Sequence, residues 1–515
     1  HKQIIPWARP ERDGSRAPDH GAWPQRVRVI FGGGTSERQV SLMSGTNVWL
    51  KLRECPDLNV EPYLLEPYTE QQLLDDGIES LAVWKLPYAE VLRHTVEEVV
   101  DGCMRELDPD VAKATFETRK EVMEALATKG NRVSSTSTQR MNSIWGYPED
   151  WMTVQEPQRM SLGSFASACA TSGDVVFIAV HGGVGENGHL QALLEGYGVY
   201  FTGCGSKASQ LCMDKADTGA ALRDMEHAGI FSTNKYKVLT SELVEAAGND
   251  SLALDKLDQL WNLIVEACHS NNNCSSQDRL KAAVCIKPVS DGCSTGVARL
   301  TCKADLQVYV RALATRASHL LPGSLQTAHP IIELPSPPPS VMLFEPFVDS
   351  ANIRVVSAED GGEMLQWHGA SRWLEVTVGV IGQKSKMHAL SPSVTIRESG
   401  AVLSLEEKFQ GGTGINLTPP PIELISQVVL DAVKSRVALV ANRLGIEGFS
   451  RIDAFMHADT GEVIIIEVNT VPGMTPSTVL FHQALAEMPA IKPSTFLKTI
   501  ISLAQMKPSL QESAA

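Results

Sequence analysis

The sequence predicts a mixed protein, α/β in its first half and α+β in its second, and three observations carry that reading. The segment "RVRVIFGGGTSERQVSLMSGTNVWLKL" runs from an apolar strand through a glycine turn into a helix whose apolar positions Val40, Met43, Val48 and Leu52 follow helical spacing. The segment "DVVFIAVHGGVGENGHLQALLEGYG" repeats the pattern, with a strand over 174–180 and a helix from about Gly188. From Lys235 onward strands follow one another: "KYKVL", "AVCIKPV", "VMLFEPFV", "IRVVSA", "VTVGVIG" and "VTIRE". A long helix over about 422–444 comes next, then the strand pair "FSRIDAFMH" and "EVIIIEVNT". Strands alternating with helices predict a mainly parallel sheet with ligands at the carboxyl ends of its strands. Runs of strands with few helices predict antiparallel sheets.

At 515 residues the chain needs several units, since a domain takes roughly 100 to 200 residues. The expected division is a flexible segment over 1–24, an α/β domain over 25–206, two further units over 207–350 and 351–503, and a tail over 504–515. Within the first domain, about 101–172 is charged and then Ser/Thr-rich ("SSTSTQR") and reads as an insertion with helical parts. The stretches "ACHSNNNCSSQD" and "ELPSPPPS" read as surface loops.

With 45 Lys+Arg against 60 Asp+Glu the formal charge is -15, which argues against general binding to nucleic acid or to anionic membranes. No apolar run is long enough for a spanning helix, and the N-terminus lacks the apolar core of a secretory signal. The ten cysteines contain no C-x-x-C pair and several sit in apolar runs, which predicts reduced thiols in a soluble intracellular protein. The start at His1 rather than Met raises the expectation of a fragment from which a targeting peptide is missing.

The strongest chemistry lies in "SRIDAFMHADTGEVIIIEVNTVPGM". A three-residue turn at Asp459-Thr460-Gly461 places Asp453 opposite Glu467 and Arg451 opposite Asn469, all on one face. The other face then carries Ile452, Ala454, Ile464, Ile466 and Val468 as core. Directly opposed carboxylates, with β-carbons about 4.5 to 5.5 Å apart, repel unless a cation lies between them. An Asp, a Glu and an Asn amide with no His or Cys make a hard-oxygen site suited to Mg²⁺ or Mn²⁺. The competing reading is an exposed hairpin with ordinary surface charges.

Lys287 ends the strand "AVCI", and the loop "SDGCSTG" after it supplies glycines, hydroxyls and backbone donors that can fold over phosphates. It does not match the Walker A order. Lys215, in "CMDKADTG", stands at a helix start, where solvated surface is the competing reading. "LFEPFVDS" alternates apolar and polar residues beside a proline, as a hinge holding an adenine would.

These features together resemble the ATP-grasp carboxylate-amine ligases. More narrowly, "FGGGTSERQVSLMSG", "VHGGVGENGHLQALLEGYGVYFTGCG", "MDKADT", "KPVSDGCSTGV", "SRIDAF" and "EVNTVPGMTPST" are similar, in order, to the signatures of the D-alanine:D-alanine ligase family. The insertions suggest its plant and algal members, and with them a plastid stroma rather than the cytoplasm. The resemblance implies a three-domain ATP-grasp fold, a Rossmann-like N-terminal domain followed by two subdomains with antiparallel sheets. It implies ATP and two Mg²⁺ ions, an acyl phosphate of one D-alanine, attack by the amine of a second, and a homodimer.

By the same resemblance Glu37 holds the ammonium of the first D-alanine with His181 nearby. Lys215, Lys287 and Lys408 contact ATP, Glu345, Phe347 and Val348 line the adenine hinge, and Asn352 stands at the ribose position. Asp453, Glu467 and Asn469 bind the metals, Arg451 and the Gly473 amide stabilise the oxyanion, and Thr478 and Val479 receive the second substrate. "EEKFQGGTGINLTPPP" is the expected lid.

The sequence departs from the family at three places. Cys293, beside Ser294, stands where Ser is common, Phe409 where many members have a lid Tyr, and Asn352 where a Glu is usual. Each lost neutral hydrogen bond costs about 0.5 to 1.5 kcal/mol, which slows an enzyme without abolishing it. Phe409 opens the alternative of D-lactate as second substrate, giving a depsipeptide. A rival of another class is a nucleotide-binding half of a larger tandem ligase. ATP-grasp chemistry has no step for a thiol, so Cys293→Ser is expected to keep or raise activity in a turnover assay. A nucleophile would lose nearly all of it.

Overall fold

The computed structural model of the protein describes residues 25–111, 113–114, 117–118, 121, 156–246, 248, 251–269, 283–289, 295–357, 363–396 and 416–507. Cys293, Ser294, Lys408, Phe409, the segment 1–24 and the greater part of the expected insertion lie outside the described residues.

The first sheet takes the order β4-β3-β2-β1-β5-β6, from β1 (Gln25–Gly32), β2 (Leu58–Leu65), β3 (Ala82–Lys85), β4 (Gln158–Ser161), β5 (Val175–Ile178) and β6 (Tyr200–Phe201). β2, β1, β5 and β6 run parallel, as expected, and β3 and β4 add an antiparallel edge. That edge corrects the extent of the insertion. β4 pairs with β3, and the following helix Leu162–Ser172 buries Leu162, Phe165, Ala166 and Cys169 under the sheet. Four residues of mixed polarity, "QRMS", give no alternation to read.

Ser161 starts that helix by accepting the Ser164 N–H, and Gly173 ends it in the left-handed conformation. The helix Arg38–Arg53 can lie close on β1 because of Gly45, where a Cβ would sit 2.2 Å from the Phe31 ring.

The second sheet has the order β10-β9-β13-β8, from β8 (Tyr236–Leu239), β9 (Val284–Pro288), β10 (Ala298–Leu300) and β13 (Val341–Pro346), and is antiparallel throughout. The third, β17-β16-β20-β21-β7, is built from β7 (Ile230–Phe231), β16 (Trp373–Gln383), β17 (Lys386–Ala389), β20 (Gly448–His457) and β21 (Val463–Asn469). It is antiparallel except where β7 joins β21. Small pairs join β11 (His319–Leu320) to β12 (Ile332–Glu333), β14 (Asn352–Ser357) to β15 (Glu363–His368), and β18 (Val394–Thr395) to β19 (Asn416–Leu417). The helix expected over 422–444 spans Gln427–Arg443 and starts where the Ser426 side chain accepts the Val429 N–H.

One apolar core contains Val27, Val29 and Phe31 of the first sheet, Phe449 of the third, and Phe481, Phe496 and Ile500 of the two last helices, Val479–Ala486 and Pro493–Gln505. The first and third sheets therefore share a hydrophobic centre. The second sheet packs its own, against the helices Ser251–His269 and Lys303–Ala314. The chain crosses between the second and third sheets at 232–235 and returns at 347–351, so these two crossings lie at the join.

The hairpin register holds at its functional end and fails beyond it. Arg451 pairs with Asn469 and Asp453 with Glu467, but Ala454 pairs with Ile465 and Met456 with Val463 across a bulge. The turn is one residue longer than expected: His457 pairs its N–H with the Glu462 carbonyl, and Gly461, at φ +67°, donates its N–H to His457. The bulge compensates for that extra residue. Past it, Val463 and Ile465 face the core, not Ile464 and Ile466; Ile464 packs instead with Val348 and Trp373.

Candidate active site

β1 and β5 are adjacent while β2 and β6 lie on opposite sides of them, so the strand order reverses between β1 and β5. At such a point the loops leaving the carboxyl ends diverge and open a crevice. The loop after β1 carries Thr35 and Glu37, and the loop after β5 carries His181 and Gly182. Thr35 Oγ1 donates to the His181 carbonyl at 3.0 Å. Glu37 occupies the N-cap of helix Arg38–Arg53 without a side-chain cap bond, and its carboxylate leans over the second loop. A Cβ at Gly182 would lie 2.9 Å from Glu37 Oε2, and Gly182 has φ +66°, so only glycine fits there.

His181 is buried, and both its nitrogens are engaged. Nδ1 lies 2.9 Å from the Val471 carbonyl and Nε2 2.9 Å from Ser44 Oγ. A carbonyl only accepts, so Nδ1 carries the proton. Ser44 Oγ accepts the Met474 N–H at 3.0 Å, and Asn47 Nδ2 donates to the Met474 carbonyl at 2.6 Å. Three groups from the first sheet's side therefore hold the loop after β21, which contains Gly473. Sequence reasoning missed Ser44 and Asn47; two polar residues one helical turn apart, beside the apolar Leu42, Val48 and Leu52 that the helix buries, were the available signal.

On the third sheet Thr377, Asp453 and Glu467 stand abreast on β16, β20 and β21. Asp453 is buried. Its Oδ1 accepts from Thr377 Oγ1 at 2.8 Å, and its Oδ2 accepts from Arg451 Nη2 at 2.8 Å and Asn469 Nδ2 at 3.1 Å. Lys215, first residue of helix Lys215–Ala221, reaches Glu467 Oε2 at 3.3 Å. Asp214 caps that helix, accepting from the N–H groups of Ala216 and Asp217, so a local rule fixes where Lys215 emerges. Among the described residues no three His, Cys, Asp or Glu side chains converge; the acidic centre is this pair with Asn469. An opposed Asp and Glu with an amide is a hard-oxygen donor set that fits Mg²⁺ or Mn²⁺.

Lys287 on β9 and Glu345 on β13 are diagonal neighbours on one face and form a buried ion pair through Glu345 Oε1. Glu345 Oε2 accepts from Thr233 Oγ1 at 2.6 Å and lies 3.4 Å from Lys235 Nζ. Burial pushes the Glu345 carboxyl up, but Lys287 and Lys235 outweigh it and hold the group at about 2. Burial alone would lower the Lys287 pKa, yet Glu345 beside it leaves it raised. The hinge residues follow directly: the Phe347 N–H donates to the Ala283 carbonyl, its ring lies under the Arg299 guanidinium at 4.6 Å, and Val348 is buried. Asn352 starts β14, its Oδ1 buried without a hydrogen-bond partner among the described residues.

Thr478 precedes helix Val479–Ala486 and donates its hydroxyl to the Gly473 carbonyl at 2.7 Å. The structure thus brings Arg451, Asp453, Asn469, Glu467 and Lys215 together. It places Lys287 and Glu345 beside them, with Glu467 acting on Lys287 through space. The eight described cysteines are free thiols, and burial pushes Cys103, Cys169, Cys268 and Cys285 up to about 12, far from a reactive thiolate. No helix among the described residues is long and apolar enough to cross a membrane.

Two family models match the chain in order, the D-ala D-ala ligase N-terminus over residues 26–204 and the D-ala D-ala ligase C-terminus over residues 369–502. The D-alanine--D-alanine ligase of Pediococcus pentosaceus is 26% identical over 462 residues, 90% of this chain and 93% of that protein. The one from Chlorobium limicola is 25% identical over 336 residues, 65% of this chain and 71% of that protein. In structure, the VanG D-Ala:D-Ser ligase from Enterococcus faecalis is similar with a TM-score of 0.53 at 16% identity, over 94% of this chain and 100% of that one. The D-alanine-D-alanine ligase from Coxiella burnetii gives a TM-score of 0.51 at 15% identity, over 95% and 98%. The fold is thus the ATP-grasp arrangement of these enzymes, and with both terminal models matched in sequence order the chain belongs to the D-alanine–D-alanine ligase family.

Proposed function

We propose that the chain uses ATP to join two D-alanines into D-alanyl-D-alanine, a unit of peptidoglycan precursors. The observation that carries the proposal is the convergence of Arg451, Asp453, Glu467, Asn469 and Lys215 on one sheet face, next to the Lys287–Glu345 pair. Asp453, Glu467 and Asn469 would hold Mg²⁺, which when bound neutralises phosphate charge. The carboxylate of the first D-alanine takes the terminal phosphoryl group of ATP, whose bond to the β-phosphate breaks to release ADP, and an acyl phosphate is formed. The amine of the second attacks that carbonyl, loses a proton, and the tetrahedral intermediate expels phosphate.

Each residue has a place in this sequence. Glu37, at the strand-order reversal, anchors the ammonium of the first D-alanine. Lys215 and Lys287 face the phosphates, and Glu345, Phe347 and Val348 flank the adenine, with Asn352 towards the ribose. Arg451 and the Gly473 N–H receive the oxyanion, where preorganised donors stabilise developing charge. The Thr478 hydroxyl is already engaged by Gly473 and the Phe481 N–H by the Thr478 carbonyl, so the carboxylate of the second substrate meets the backbone N–H groups of Val479 and Leu480, at a helix N-terminus. Cys293, Ser294, Lys408 and Phe409, which lie outside the described residues, keep the roles that the resemblance implies.

His181, with both nitrogens engaged, acts as a positioning group: with Ser44 and Asn47 it fixes the loop that aims the Gly473 N–H. Asn47→Ala leaves the Met474 carbonyl without its buried donor, a loss of about 1 to 3 kcal/mol. Steady-state kinetics are expected to show kcat roughly tenfold lower, with the KM for ATP within about twofold. An equal rise in both substrates' KM at unchanged kcat would remove the loop from the account.

D-alanine as second substrate is favoured over D-lactate by the curated relatives, and a non-catalytic nucleotide-binding reading is disfavoured by Arg451, Asp453, Glu467 and Asn469 standing together in one site. The test is phosphate release with ATP, Mg²⁺ and D-alanine, repeated with D-lactate added. Release that depends on D-alanine supports the proposal, and ATP binding without turnover overturns it.

A further inference from the structure

Lys235 is a third buried lysine, and none of the steps above uses it. Its side chain is 5% exposed. Its Nζ lies 3.1 Å from Ser232 Oγ, 3.0 Å from Thr233 Oγ1 and 3.4 Å from Glu345 Oε2. An ammonium has three donors, so all three are directed at protein oxygens and none is left for a phosphate. Thr233 closes the triangle by donating to the same Glu345 oxygen. These residues lie on the crossing from the third sheet to the second, and Glu345 lies just before the crossing back, so the cluster ties the two crossings together.

Glu345 is thereby shared. Lys287 takes Oε1, and Lys235 with Thr233 takes Oε2. A buried carboxylate with a single lysine could not release it, because the lone charge left behind is costly. With a second, fixed lysine it can. We propose that Lys235 is a positioning residue, a permanent counter-ion for Glu345 that allows Lys287 to turn its ammonium to the nucleotide's phosphates when ATP binds. Burial, the largest influence on Lys235, lowers its pKa, Glu345 partly opposes that, and the neighbouring Lys287 adds to the lowering. The inference rests on the nucleotide-site reading above.

The two ideas fail separately. Binding of a non-hydrolysable ATP analogue and of adenosine is measured by calorimetry, without D-alanine, on the wild type and on Lys235→Met and Lys235→Arg. If the wild type binds neither, the nucleotide-site reading falls and this inference with it. If it binds, Lys235→Met is expected to weaken the ATP analogue tenfold or more while adenosine stays within about twofold, because Lys287 is then held back by Glu345. Lys235→Arg is expected to keep the wild-type ratio of the two affinities. Equal weakening of both ligands, or no change in either, overturns the inference. Should Lys235→Met not fold, Thr233→Val makes the same comparison. It removes only the hydroxyl bridging Lys235 to Glu345 and is expected to shift the ratio in the same direction; an unchanged ratio there overturns the proposal.

Discussion

Replacing Arg451 by Met is expected to lower kcat about 10²- to 10³-fold, the usual cost of removing one oxyanion donor, while the protein stays folded. Folding survives because Asp453 does not depend on Arg451 alone. Its carboxylate also accepts from Thr377 Oγ1 and Asn469 Nδ2, and the strand pairing Arg451↔Asn469 is a backbone feature that Met at this position keeps. Arg451 lies beside Asp453, the carboxylate proposed to hold metal with Glu467, rather than at the proposed adenine hinge, so the KM for ATP should change little. Steady-state kinetics with a thermal melt check both halves. A loss of kcat below tenfold would remove Arg451 from the oxyanion role.

The second large effect belongs to Lys287→Met, which is expected to weaken nucleotide binding and stability together. Removing one member of a buried ion pair costs about 3 to 5 kcal/mol, and Lys235 should hold this case to the lower end. The pH dependence has a defined sign. The Glu345 carboxyl is held at about 2 in the folded protein against an ordinary value of 4.5, so its stabilisation is fully present above the ordinary value. It is lost as pH falls through the folded value. With Lys287 gone the folded value rises towards the ordinary one and that stabilisation shrinks. Acid unfolding of Lys287→Met, followed by circular dichroism, is expected at a higher pH than for the wild type. An unchanged acid midpoint with unchanged ATP affinity would mean that the pair serves neither purpose.

Much of the site could be read from the chain because strand pairing reduces to counting. Asp453 opposite Glu467 and Arg451 opposite Asn469 follow from a nearby turn and a period of two, and both pairings stand. The count is off by one from the turn as far as the bulge between Asp453 and Ala454, and for a physical reason: Ile464, Ile465 and Ile466 are identical, so there is no apolar-polar alternation to reveal a bulge among them. The one-residue-longer turn and the bulge offset each other, which is why the functional end is correct although the middle is not.

Lys235 escaped notice for the opposite reason. In "NKYKV" it precedes a strand whose Lys237 is exposed, and nothing local distinguishes a buried lysine from that one. Its burial depends on Glu345, more than a hundred residues away. His181 was legible as a site residue but not in its manner of acting, since its partners Ser44 and Val471 come from the far ends of the chain. β4 was too short and too polar to signal a sheet edge.

The claim that this chain joins two D-alanines through an acyl phosphate is tested most directly by the mass of its product. The protein is incubated with ATP and Mg²⁺ in a mixture of D-alanine, D-serine and D-lactate, and the products are identified by mass spectrometry against released phosphate. The account predicts D-alanyl-D-alanine as the main product, with one phosphate released per dipeptide. A mixed product in which D-lactate or D-serine takes the second position in preference to D-alanine, or phosphate release with no dipeptide, would contradict it.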